Sequence, residues 1–250
     1  MIKKVFTPLA CAVAMSIGNV NAGTVSFIDP QGDDNGPGSY TYPTNPVYKA
    51  GSFDMTGFRI SEDGKNYKIE IDVAAPLKDE WNTGAGFDVQ MFFVFIDAGS
   101  GKYTDALPGL NVQFANDSAW EKVVIVSPQS SRRIKAELRK ARSFKADVIN
   151  PTSSVGSGNT ITTIFPKSEI SGSPENWRIQ VLGQSNEGFP DGKDILTRHV
   201  NATGSEHRFG GGDDSKKCDP HVIDILGDHS QLNYDCATGK VATVSLLKTK

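Results

Sequence analysis

Two glycine-rich turns concentrate acidic side chains at spacings that could hold a cation. The first is Asp29-Pro30-Gln31-Gly32-Asp33-Asp34-Asn35-Gly36-Pro37-Gly38. It places Asp29, Asp33 and Asp34 in close succession, and its glycines let the backbone turn sharply among them. Calcium takes about six to eight hard oxygen ligands from carboxylates, amides and carbonyls. This turn offers them, without the spacing of an EF-hand. The second is Arg208-Phe209-Gly210-Gly211-Gly212-Asp213-Asp214, where a glycine run delivers Asp213 and Asp214. These two complete the same cation site or form another. The bland alternative for both is an ordinary Asx-rich turn. A phosphate-cradling loop is excluded, because acids rather than a lysine follow the glycines.

The second kind of chemistry is stacking. An aromatic face offers a sugar ring apolar area with little side-chain entropy to lose. Trp81 sits in a polar turn between Asp79-Glu80 and Asn82-Thr83-Gly84, and is the best surface candidate. Tyr40 and Tyr42, near the first acidic turn, are further candidates for a sugar-facing surface. Trp177 lies in an alternating segment and reads as core. For covalent catalysis there is no G-x-S-x-G. His199, His207, His221 and His229 show no zinc-ligand spacing. Paired catalytic carboxylates leave no mark in a sequence, because their pairing is spatial. Acids clustered in glycine-rich turns suit a cation better than a general acid.

These residues need a scaffold, and the hydropathy pattern describes one. Tyr67-Lys68-Ile69-Glu70-Ile71-Asp72-Val73 alternates strictly, which predicts a strand with one buried face. Asp63-Gly64 before it is a hairpin signal. Phe87 to Ile96 begins alternating and becomes apolar on both sides, as a central covered strand does. Leu110–Phe114, Val123–Val126, Thr160–Phe165, Trp177–Leu182 and Lys240–Leu247 are further strands. Ser153–Asn159, rich in Gly and Ser, reads as a loop tip. Arg132 to Arg142 places Ile134, Leu138 and Ala141 at helical spacing among basic residues. It reads as an excursion between strands with a solvated basic face, in preference to a helix bound to an anionic surface. With 25 Gly and 13 Pro to punctuate the chain, the fold class expected is all-β, an antiparallel β-sandwich of jelly-roll or DOMON-like type with at most short helices.

The N-terminus reads as an export signal. Met1-Ile2-Lys3-Lys4 is basic, Val5 to about Gly18 is apolar, and Val20-Asn21-Ala22 offers a cleavage site. Residues 1–22 are therefore expected to be a secretory signal peptide cleaved after Ala22, and 23–250 a single β-sandwich domain in the periplasm or secreted. No apolar run in the mature chain reaches transmembrane length. Loss of Lys3 and Lys4 takes the formal charge from −3 to −5, which gives no reason to expect nucleic acid as a partner. Cys218 and Cys236 then remain as an even pair in an oxidising compartment and are expected to form a disulfide worth about 3 kcal/mol.

Taken together, Asp29-Pro30, Gly32-Asp33-Asp34, Gly36-Pro37-Gly38, Tyr40, Tyr42-Pro43 and Gly51-Ser52-Phe53-Asp54 resemble the opening of the glucodextranase C-terminal domain family. Gly86-Phe87-Asp88-Val89-Gln90, Phe95-Ile96-Asp97, Pro108-Gly109, Trp120, the Arg208–Asp214 segment and Pro220-His221-Val222-Ile223-Asp224 continue the resemblance across the mature chain. The cysteine pair has no counterpart in that pattern. The resemblance implies a DOMON-like, carbohydrate-binding-module-like sandwich from the ends of secreted α-glucan-degrading enzymes, and it favours cation binding at the acidic turns. The expected function is thus an exported, non-catalytic α-glucan-type binding module stabilised by calcium, its partner a polysaccharide or cell-surface glycan. The competing readings are an envelope structural or assembly protein with a protein partner, and a hydrolase using spatially paired acids.

Overall fold

The computed structural model describes residues 23–215 and 217–249, so the expected signal over residues 1–22 lies outside the described residues. The chain forms β1 (Thr24–Ile28), β2 (Met55–Asp63), β3 (Asn66–Val73), β4 (Gln90–Asp97), β5 (Val112–Phe114) and β6 (Lys122–Val126). Helix α1 (Ser131–Glu137) runs into a 3₁₀ segment (Leu138–Asp147). Then come β7 (Val148–Ile149), β8 (Ser153–Ser157), β9 (Thr160–Pro166), β10 (Arg178–Ser185), β11 (Asp224–Ile225), β12 (Ala242–Val244) and β13 (Leu247–Lys248). One antiparallel sheet has the order β1-β2-β3-β9-β8. The facing sheet has the order β11-β10-β4-β6-β7, with β13 also on β10, and β5 and β12 form a separate parallel pair. This is the expected all-β sandwich.

The register follows from the pattern. In β3 the apolar Tyr67, Ile69, Ile71 and Val73 are buried and the charged residues between them are half-exposed. A one-residue slip would turn that whole set to water. The hairpin into β3 closes at Asp63↔Asn66, with Gly64 at φ +57. Strand β4 is buried along its entire length. Its Phe92, Val94 and Ile96 enter the core between the sheets with Ile69, Ile71 and Val181. Its Met91, Phe93 and Phe95 point the other way, into a second core. Trp120 and Trp177 are buried, one in each core.

The second core is closed by the excursion. Ile134, Leu138 and Ala141 are all buried in it, so the helical spacing is real and the basic residues are left outside. Ser130 caps α1 by accepting from the Arg133 N–H. Two expectations need correction. Residues 153–157 are not a loop tip but an edge strand paired with β9. Gly156 is needed there, since a Cβ would lie 2.8 Å from the Gly86 carbonyl oxygen. Lys240–Leu247 is not one strand, because β12 pairs with β5 and β13 with β10. The Cys218–Cys236 disulfide is formed, with 5.6 Å between Cα atoms. No helix of the described residues is long and apolar enough to cross a membrane.

Candidate functional site

A third core, built from Tyr40, Val47, Tyr48, Phe53, Val89, Val200, Phe209 and Ile223, underlies one end of the sandwich. The first acidic turn lies over this end. Gly36, at φ +60, packs so tightly that a Cβ would sit 2.3 Å from the Tyr40 ring. Its N–H donates to the Ile223 carbonyl at 2.8 Å, and its carbonyl lies 3.1 Å from His229 Nδ1. The turn is thereby docked onto β11 and the short 3₁₀ turn His229–Leu232.

This docking brings together carboxylates from three distant segments. Asp29 follows β1, and its Oδ1 accepts from the Gly227 N–H at 2.7 Å. Asp54 immediately precedes β2, and its Oδ2 accepts from the Gly32 N–H at 2.9 Å. Asp224 opens β11, accepts from the Met55 N–H, and lies 2.9 Å from His229 Nε2. Donor atoms of Asp33, Asp224 and His229 all lie within 4.8 Å of one another. Asp29, Asp54 and Asp224 are 3%, 5% and 0% exposed. Asp29 Oδ2, Asp33 Oδ1 and Asp54 Oδ1 are nevertheless buried without a hydrogen-bond partner.

The electrostatics reflect that crowding. Burial, with the charges of Asp224, Asp33 and Asp54, pushes the Asp29 carboxyl well above the usual carboxylate range. Burial also raises Asp33, Asp54 and Asp224, with His229 opposing the rise in each. Burial would lower His229, but the hydrogen bond and charge of Asp224 outweigh it and leave its value raised. Four carboxylates around one imidazole are oxygen-rich, and oxygens left unpaired in a buried site are costly. A hard divalent cation is the group such a donor set suits.

The sequence candidates divide between two places. Asp29 and Asp33 belong to this cluster. Asp34 stands beside it and accepts a hydrogen bond from the Tyr42 hydroxyl. Asp213 and Asp214 group instead with the fully buried Asp219, whose Oδ2 accepts from the Asp213 N–H at 2.9 Å. Asp214 Oδ1 accepts from the Ala202 N–H at 2.7 Å. The two glycine turns do meet through their backbones, at the Thr41↔Gly210 bridge. Sequence reasoning missed Asp54, Asp224 and His229 as cluster members. The signal available was an aspartate closing each of two family-like segments, Gly51–Asp54 and Pro220–Asp224.

The aromatic candidates also separate. Trp81 is 38% exposed, on a loop fixed by Asp88, whose Oδ2 accepts from the Glu80 and Trp81 N–H groups at 2.8 and 3.2 Å. The Arg198 guanidinium lies 5.8 Å over its ring, and Tyr48 and His207 approach within 6.1 and 6.3 Å. Tyr48 stacks on Phe53, which meets Tyr42 and Phe209, so Trp81 is the exposed member of an aromatic cluster rooted in the third core. Tyr40 is 5% exposed, with its hydroxyl donating to the Pro220 carbonyl, so its ring offers no stacking surface. Tyr42 is half-buried beneath the turn.

A comparison with curated proteins returned no match. A comparison with family models matched residues 24–246 to the C-terminal binding module, SLH-like, of glucodextranase. With nearly the whole described chain covered by that match, the protein belongs to the glucodextranase C-terminal binding-module family.

Proposed function

We propose that this protein is an exported, non-catalytic module that binds a carbohydrate of the α-glucan type, with calcium stabilising its binding end. Membership of a binding-module family supports the first part. The single observation that carries it is Trp81, 38% exposed and held against Tyr48 and Arg198, as a sugar-stacking platform needs to be. Calcium is supported by three buried, unpartnered carboxylate oxygens on Asp29, Asp33 and Asp54. Asp29, Asp33, Asp54 and Asp224 would hold the ion, with His229 bracing Asp224. The ion would supply positive charge and further coordination, and it would join the 29–36 turn to β2 and β11. Asp34, Asp213 and Asp214 lie beside or away from these donors, so they have no place in this ligand set. A periplasmic or secreted location is part of the same reading, supported by membership of the binding-module family.

The experiment is thermal unfolding with calcium, with chelator and with a panel of α-glucans, for the parent and for Trp81→Ala. A ligand that binds only the folded state raises the midpoint by mass action. Calcium is expected to raise it, and one glucan to raise it further in the parent but not in Trp81→Ala. A glucan response that survives Trp81→Ala would overturn the site. No glucan response at all would overturn the function.

A further inference from the structure

We propose that the basic face of α1 and the following 3₁₀ segment, with Phe189 beside it, is a second binding surface, and that its ligand is a carboxylate-bearing polysaccharide. Between Ser131 and Lys145 the chain has one acid, Glu137, and its carboxylate is taken by Arg133 at 3.1 Å and Lys140 at 2.6 Å. Arg132, Lys135, Arg139, Arg142 and Lys145 are all exposed, and none is in an ion pair among the described residues. A protein of formal charge −3 has thus gathered five uncompensated cations on one short segment. Such a patch focuses a field that attracts polyanions.

The neighbouring loop adds an aromatic ring. Phe189 is 93% exposed, more than any other large apolar side chain among the described residues. It is not on a stray loop. Arg133 Nη2 donates to the Gly188 carbonyl at 2.9 Å, and Lys140 Nζ donates to the carbonyls of Asp191 and Asp194 at 3.3 and 2.9 Å. The two cations that hold Glu137 therefore also fasten the Phe189 loop to the basic segment. The Phe189 N–H donates to Glu187 Oε1 at 3.0 Å. An exposed ring on a loop tied to the basic segment fits a chain of sugar rings that each carry a negative group.

A lipid surface fits less well. Membrane-surface helices need a free apolar face, and here Ile134, Leu138 and Ala141 are all spent in the second core. That leaves a single ring to enter a bilayer. The proposal deepens the binding-module reading by naming a charge class of ligand, and it uses a surface that does not include Trp81.

The test compares retention of the purified protein on immobilised polygalacturonate and on amylose, with sedimentation on phosphatidylglycerol vesicles as a third arm. Retention on polygalacturonate is expected at low ionic strength and loss near 1 M salt, where screening acts over about 3 Å. The Arg132→Gln, Lys135→Gln, Arg139→Gln variant should bind polygalacturonate at least about tenfold more weakly, equivalent to about 1.4 kcal/mol, with an unchanged unfolding midpoint. Phe189→Ala should weaken it several-fold while keeping the salt dependence. Trp81→Ala should leave this binding intact, and failure of the parent protein to bind amylose would sink the glucan reading and not this one. Polygalacturonate binding by the triple variant equal to the parent's would overturn the proposal, as would retention on vesicles without retention on polygalacturonate.

Discussion

At the residue scale, the chemistry turns on buried groups that water cannot reach. Asp29 is the sharpest case. Its Oδ1 has a backbone donor and its Oδ2 has none. Asn in its place keeps the acceptor and is neutral, whereas burial, Asp224, Asp33 and Asp54 push the Asp29 carboxyl up to about 9. Without calcium the folded protein must protonate Asp29 at neutral pH while the unfolded chain leaves it ionised, which costs about 1.4 kcal/mol for each pH unit above the ordinary 3.8. Asp29→Asn should therefore unfold at a higher temperature than the parent in chelator, while gaining less from added calcium. Thermal scans of both proteins in both conditions check this; a chelated variant that melts below the parent counts against it. His221 makes a second case. Burial holds its imidazole down at about 3, with His199 adding to the effect and Asp194 opposing it. Its Nδ1 accepts from the Val200 N–H at 3.2 Å, a bond that protonation there would break. Because the folded value lies below the ordinary 6.5, the unfolded chain binds the proton first. The stabilisation is complete above pH 6.5 and is lost as pH falls toward 3, by up to about 1.4 kcal/mol per pH unit. Proton resonances of the His221 ring should show no titration between pH 7 and 5. His221→Asn, which can still accept from Val200, should flatten the stability slope across that range.

At the scale of elements, the strands were legible wherever one face had to be dry. The alternation in Tyr67–Val73 fixed both the strand and its register, and the two-sided apolar run fixed β4 as the covered centre. Strand β8 was not legible. It lies at a sheet edge with Val155 52% exposed, and an edge strand of Ser and Gly carries no hydropathy signal. The carboxylate cluster was half legible for a related reason. Asp29 and Asp33 announce themselves by their turn, whereas Asp224 lies nearly the whole chain away, inside the apolar run Val222–Leu226. Only the docking of the turn onto β11 unites them. Gly36 permits that docking, and a matched pair of substitutions isolates its contribution. Gly36 and Gly158 share φ +60, but an added Cβ meets Tyr40 at the first and nothing within 4 Å at the second. Gly158→Ala should cost about 1 kcal/mol, from backbone strain alone. Gly36→Ala should cost about 1–3 kcal/mol more, from overpacking, and should blunt the calcium response. Equal losses in denaturant unfolding would show that the contact with Tyr40 has no role.

At the scale of the whole molecule, the three cores are unequal in what holds them. The first two are closed by sheet pairing, with β4 buried between them on both faces. The third is covered by segments 29–54 and 219–229, which hydrogen-bond across long sequence separations, Gly227 to Asp29 and Met55 to Asp224 among them. Those bonds end on Asp29 and Asp224, two of the carboxyl groups whose burial and crowding push their titration up. The chain should therefore have two levels of stability, the sandwich at the upper and the aromatic end at the lower. Removing calcium should speed amide hydrogen exchange at residues 29–54 and 219–229 and leave β4 and β10 as protected as before. Trp81 packs against Tyr48, and Tyr48 stacks on Phe53, so the same opening should weaken glucan binding without lowering the protection of the sheets. Exchange that rises uniformly over all strands would mean that the ion supports the sandwich itself. Exchange unchanged everywhere would mean that the carboxylates keep their arrangement by taking up protons, and that the binding end is held by its aromatic core alone.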